Sequence, residues 1–296
     1  MNKQIIELSE NLDGEIEQFL RGLHHDKFLW MKDLIFEAFS DLKKQLNKKG
    51  GDEREIVKKF ILQFRQENEK KIREILEYSK KLFQDRAFES LNLLAEEMEF
   101  DLSENSLSLI AVPTILPYSP FCGNTFYFSI LGDIYRFKKG QEGLLTAIHE
   151  ISHMILFKII EANKIKISDW TIIHYLKEIL ASVLLNQKDL AKTLDVKNYL
   201  GNEDLHQIYV LDLRNEKKQI CLFFAEIYNK LRKDNDRGFL KTLSVMIEIL
   251  ASMRNDLEIR HKLWNFRNTK IKVDKKIVDA YRKPILINKS VLRGIE

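Results

Sequence analysis

Two histidines four residues apart, His149 and His153, bracket Glu150 inside a largely apolar run from Leu144 to Ile160. On a helix, positions i and i+4 stand one above the other on a single face, so both imidazoles would project together. Two neutral imidazoles so placed form a chelate for a divalent ion. In a helical His-Glu-x-x-His pentad the glutamate beside them is positioned as a general base. The chemistry this predicts is metal-assisted hydrolysis, with His149 and His153 as ligands and Glu150 taking the proton of a metal-activated water. Leu144, Leu145, Ile148, Ile151, Ile155, Leu156 and Ile159 leave the segment apolar on nearly every face and predict a buried helix. Burying two histidines and a glutamate there without partners is costly, whereas a cation turns the same groups into ligands.

A catalytic zinc takes three protein ligands and keeps a fourth position for water. The metzincin arrangement, with a histidine six residues after His153, is excluded because that position is Ile159. Glu178 is the leading third ligand. It sits in the next helically periodic run (Trp170, Ile172, Ile173, Leu176, Ile179, Leu180, Val183, Leu184), where an ionised carboxylate calls for a counter-charge. The plainer alternative is a solvated Glu178 at a helix edge beside Lys177. His174, four residues before Glu178 and on the same face, competes as ligand or would act beside it. Cys122 is a further candidate, but Pro120-Phe121-Cys122-Gly123 lacks the glutamate-glycine-cysteine pattern of peptide deformylases. His174, Tyr175, His206 and Tyr209 are the candidate donors to developing negative charge in the transition state.

On these residues the chain resembles a zincin metallopeptidase of the gluzincin type, in which a His-Glu-x-x-His helix is followed by a helix supplying a glutamate. The resemblance rests on His149, Glu150, His153 and Glu178 and covers roughly residues 100–190. It implies one Zn2+ per chain, a peptide or protein substrate, and a strand at or near Phe126–Ile130 whose edge pairs with an extended peptide. The chain departs from the family at Ser182, where many gluzincins place an aspartate that orients a zinc-bound histidine. Two other readings use the same residues: a zinc amidohydrolase acting on a small substrate, and a non-catalytic helical binding or regulatory protein with a structural or coincidental pentad.

The elements that must position these groups follow from periodicity. Residues 1–99 read as helices, with apolar stripes at Ile5, Ile6, Leu8, Leu12, Ile16, Phe19 and Leu20, and then from Phe28 to Leu42. Lys48-Lys49-Gly50-Gly51 breaks the pattern, and Asp52 with Glu55 resembles a capping box for a segment striped from Ile56 to Leu82. Beyond Asp101, Pro113, Pro117, Pro120 and several glycines disfavour helix. Strands are expected around Leu107–Ala111, Phe126–Ile130 and Ile134–Phe137, with Gly132 as a turn between the last two. Helices resume after Ile160: one capped by Ser168 or Asp169, others near Leu205–Leu231 and Phe239–Met253. The tail from about Asn265 (Lys270, Lys272, Lys275, Lys276, Arg282, Lys283) reads as a solvated basic extension.

The expected fold is therefore α+β and predominantly helical. It comprises a helical N-terminal region (1–99), a zincin-like metal-site core (100–195) with a small sheet before the active-site helix, a helical C-terminal region (196–264) and a basic tail (265–296). Basic and acidic residues are interspersed and nearly balanced, 48 against 44, which argues against nucleic acid as the main partner. Cys122 and Cys221 suggest no disulfide framework, and the N-terminus lacks the apolar core of a signal peptide. The run from Leu144 to Ile160, interrupted by Lys158, falls short of the roughly 20 apolar residues a membrane span needs. A cytoplasmic protein is expected.

Overall fold

Helices dominate the chain, as its apolar periodicity predicts, and among the described residues two small sheets accompany them. The computed structural model describes residues 6–26, 28–48, 50–103, 109–136, 141–212, 214–233, 238–266, 283–287 and 290. The chain divides into two units: Met1–Phe88 with Ser106–Glu150, and Glu89–Asn105 with Ile151–Glu296.

In the first unit, β1 (Ile6–Leu8) precedes helices α1 (Leu12–Leu23), α2 (Trp30–Ala38), α3 (Ser40–Leu46), α4 (Glu53–Glu67) and α5 (Glu69–Leu82). One π turn (Phe83–Ala87) leads from α5 into α6 (Phe88–Glu97), which from Glu89 on belongs to the second unit. Strands β2 (Leu109–Thr114), β3 (Phe121–Cys122) and β4 (Thr125–Ser129) follow, then α7 (Leu131–Arg136) and the start of α8 (Gln141–Ala162). The sheet runs β1-β2-β4-β3, with β1 and β4 parallel to β2 and β3 antiparallel to β4.

Several expectations change here. Ile6–Leu8 is a strand, not the start of a helix, because Asn11 caps α1 by accepting the Gly14 N–H at 2.8 Å and its register opposite Leu109–Ala111 recruits the preceding residues. Ile5 lies outside the described residues. The second stripe breaks at Phe39, whose non-helical backbone (φ −133°, ψ 75°) separates α2 from α3 while its ring packs on Phe19, Phe60 and Phe64. Asp52 does start α4, accepting the Arg54 N–H at 3.0 Å. The strand expected over Ile134–Phe137 is instead helix α7 as far as Arg136. Leu131 and Ile134, three apart, are both buried and Tyr135 is exposed, a helical spacing that overrides the β preference of the aromatics. Phe137 is outside the described residues.

A buried carboxylate ties this unit together. Glu15 on α1 receives Arg65 of α4 at 2.8 Å, the Thr114 hydroxyl at 2.9 Å and the Ile115 N–H at 2.7 Å. Arg65 also donates to the Pro113 carbonyl at 3.0 Å. A charge so buried is tolerated because every neighbour is a donor. The start of α8 is fixed differently: a Cβ at Gly143 would sit 3.2 Å from the Phe128 ring of β4, so the glycine lets the helix lie close on the sheet.

The second unit is built on α9 (Trp170–Leu185), which packs against α10 (Lys188–Leu194), α12 (Ile220–Lys233), α13 (Phe239–Ser252) and α14 (Arg254–Phe266). Between them lie α11 (Glu203–His206), β5 (Tyr209–Leu211) and β6 (Lys217–Gln219); β7 (Ile285–Leu286) completes a sheet ordered β6-β5-β7. The single helix expected over Leu205–Leu231 is thus interrupted by a hairpin. Its turn is set by Asp212, whose side chain accepts the N–H groups of Arg214 at 2.8 Å and Glu216 at 2.9 Å. Gln219 then caps α12, accepting the Cys221 N–H at 2.9 Å. The basic tail is not wholly a solvated extension: Ile285 is buried opposite Val210, and Arg260 donates to the Lys283 carbonyl at 2.6 Å. Lys270, Lys272, Lys275, Lys276 and Arg282 fall outside the described residues.

By length and composition, Gly143–Ala162 of α8 would suffice to cross a membrane, contrary to the expectation that no stretch does; 67% of that window is buried inside the protein.

Replacing Glu15 by alanine leaves the Arg65 guanidinium without its carboxylate and should lower the unfolding free energy by about 3–5 kcal/mol, read from the urea midpoint of parent and variant.

Candidate metal centre

Helix α8 carries the pentad as the sequence predicts. Ala147, Ile148, Ile151, Ile155 and Leu156 are all buried, and His149, Glu150, Ser152 and His153 are buried among them. Asp169, the second of the two expected caps, starts α9. One of its oxygens accepts the Thr171 N–H at 2.8 Å and the other takes the Arg254 Nε at 2.7 Å. The hydrogen bond from Arg254, aided by the backbone N–H groups, holds the Asp169 carboxyl below the usual carboxylate range. This anchored start sets the phase of α9 and hence the direction in which its polar residues point.

Glu178 points into the protein. It is 3% exposed, which rules out the solvated edge position, although Lys177 does contact it through Oε1. Its Oε2 lies 3.9 Å from Nε2 of His153. His149, His153 and Glu178 each offer a ligand atom within 4.8 Å of the other two. Zinc bonds of about 2.0–2.2 Å in a tetrahedron place neighbouring ligand atoms about 3.4 Å apart, so the 3.9 Å pair is wider by only about half an ångström. The same distance is too long for a hydrogen bond. A buried N2O donor set at this spacing fits a divalent ion. Lys177 contacts Oε1, which leaves Oε2 on the histidine side. Glu150 sits beside the ligands, its Oε1 4.0 Å from His149 Nε2.

Ser182 does not take over the orienting role of the family's aspartate. Its hydroxyl donates to the Tyr199 carbonyl at 3.0 Å, and Asn186 brackets the same residue by accepting the Tyr199 N–H at 2.9 Å. These bonds hold the segment leading to Gly201 against α9. Gly201 adopts φ +72°, and a Cβ there would meet the Glu178 carbonyl at 3.5 Å and Leu205 at 3.3 Å, so a side chain would be strained as well as crowded.

The other candidates separate. His174 does not join His149 and His153; its Nε2 lies 3.6 Å from Asp204 Oδ2 and it groups with Asp204 and His261. Tyr175 is fully buried with its ring against His174 and His261. His206 is exposed with Nε2 3.2 Å from the Gly201 carbonyl, and Tyr209 lies under Lys217 Nζ at 4.2 Å from its ring centre. Cys122 is exposed on β3 and falls in neither ligand group. Phe126–Ile130 is not itself an edge, since β4 lies between β2 and β3 and beyond β3 its Tyr127 N–H is taken by the Pro120 carbonyl at 2.8 Å; the strand near it, β3, is the outer one among the described residues.

Asp204 and His261 were invisible to motif reasoning, since they reach His174 from α11 and α14 and no local spacing links them. Burial, together with the charges of Asp204 and Glu178, pushes the Cys221 thiol up to about 11, against the pull of hydrogen bonds from Ser182 and Gln219. Cys221 is therefore a protonated thiol in a negative potential. No family model, curated protein or solved structure matches this chain.

The purified protein should carry a divalent metal at the His149 site. His149→Ala should abolish binding there, and Glu178→Ala should weaken it by more than about 100-fold, beyond what loss of a group behind the ligands costs; competition with a chromogenic chelator measures both.

Proposed function

We propose that this chain is a zinc-dependent metallopeptidase of the gluzincin kind. The observation that carries the reading is the convergence of His149, His153 and Glu178, all buried, with ligand atoms within 4.8 Å of one another and with Glu150 alongside. A pentad of purely structural origin has no need of a carboxylate from a second helix at ligand spacing. His149, His153 and Glu178 would hold one Zn2+, which when bound supplies a Lewis acid that lowers the pKa of a water toward about 7 and polarises a carbonyl.

The chain's own residues do the rest. Glu150 accepts a proton from water on the His149 side of the cluster and passes it to the leaving amine, two steps that one carboxylate can perform. The apolar walls of α8 around Glu150 exclude bulk water and strengthen the charges that face the reacting carbonyl. Lys177 contacts Oε1 of Glu178, which leaves Oε2 and the two imidazoles to face the metal. The same residues would serve an amidohydrolase acting on a small substrate; a peptide assay separates the two.

In a fluorogenic peptide-library assay, Glu150→Gln should retain the metal and lose at least about 100-fold in kcat/KM, the low end of what a general base contributes. His149→Ala should lose metal at this site and activity together. Equal activity in parent, Glu150→Gln and His149→Ala would end the peptidase reading.

A further inference from the structure

One turn before Glu178 on the same face of α9, a second set of ligand-type side chains converges. His174 of α9, Asp204 of α11 and His261 of α14 offer ligand atoms within 4.8 Å of one another. The His174 and Asp204 side chains are 11% and 8% exposed, and His261 is buried. The 3.6 Å between His174 Nε2 and Asp204 Oδ2 exceeds a hydrogen bond, yet is close to the roughly 3.4 Å edge of a tetrahedral zinc site. The other oxygen, Asp204 Oδ1, is buried with no hydrogen-bond partner among the described residues, a costly state for a carboxylate unless a cation faces it.

The two rings are held in place before any ion arrives. Trp170 stacks on His174 with centroids 5.0 Å apart and planes 7° from parallel, and its ring meets His261 edge-on at 4.7 Å. Asp204 also contributes to the negative potential at Cys221.

We propose that His174, Asp204 and His261 form a second divalent-metal site, distinct from the one on His149, His153 and Glu178, which takes zinc or another first-row ion that accepts two imidazoles and a carboxylate. The ion ties α9, α11 and α14 together and so steadies the helix turn that bears Glu178. The site stands on its own residues and holds whether or not the chain is a peptidase.

The test uses the full chain, stripped by chelator and titrated with Co2+ as a spectroscopic probe, with zinc content measured after reconstitution. The parent should bind two equivalents. Asp204→Asn, which keeps side-chain size, and His261→Ala should each bind one, as should His149→Ala, and His149→Ala with Asp204→Asn should bind none. In the His149→Ala background, zinc at a hundredfold excess over its dissociation constant should raise Tm by about 5 °C or more, and Asp204→Asn should erase that rise. Far-UV circular dichroism of Asp204→Asn matching the parent confirms folding. A single equivalent lost in Asp204→Asn and retained in His149→Ala supports this site and refutes the first. A single equivalent lost in His149→Ala and retained in Asp204→Asn overturns the proposal, as do two equivalents that survive both Asp204→Asn and His261→Ala.

Discussion

Ionisable groups inside an apolar helix are the constraint that shapes the second unit. Helix α9 is buried along almost its whole length from Tyr175 to Leu185, yet it carries Glu178 and Ser182 in that stretch and His174 just before it. Water cannot supply the missing hydrogen bonds there, so each group has to be met by a side chain, a backbone group or an ion. Ser182 is met by the Tyr199 carbonyl, Glu178 by Lys177 on one oxygen and His153 on the other side, and His174 by Asp204 and His261. The loop and helices around α9 are arranged to make those meetings possible, down to Gly201, whose missing side chain allows the close approach.

The other unit solves the same problem without any need of an ion. Glu15 is as buried as Glu178, but a guanidinium, a hydroxyl and a backbone N–H surround it at hydrogen-bond distance. The contrast is instructive. Partners at 2.7–2.9 Å mark a carboxylate satisfied by protein alone. Nitrogen–oxygen separations of 3.6 and 3.9 Å between buried histidines and carboxylates are longer than hydrogen bonds and close to the edge of a tetrahedral metal site, so these clusters could hold an ion.

Fixing the ends of α9 is what makes such spacing reproducible. Asp169 caps its start and is itself held by Arg254 of α14, while Asn186 donates to the Tyr199 carbonyl near its end. Because α14 also brings His261, the element that anchors the cap is the one that completes the second cluster. A ligand set held from several directions keeps its geometry when side chains fluctuate, which is the preorganisation a metal site requires.

The sequence by itself determined the local part of this picture. A helical period of 3.6 residues places His149 and His153 on one face, and the apolar run around them buries that face; both follow from spacing alone. Glu178 was legible for the same reason, as a charge in an otherwise apolar helix. Local spacing misled where a short aromatic run could serve either geometry, at Ile134–Arg136, and where a few residues served as strand partners, at Ile6–Leu8 and Tyr209–Leu211. Only the tertiary structure decided which side chains from distant segments meet. It sent His174 to Asp204 and His261 rather than to His149, gave Glu15 its three donors, and placed β4 inside its sheet. Those pairings depend on how helices far apart in the chain pack, and packing depends on the whole apolar surface at once, which no local window of residues contains.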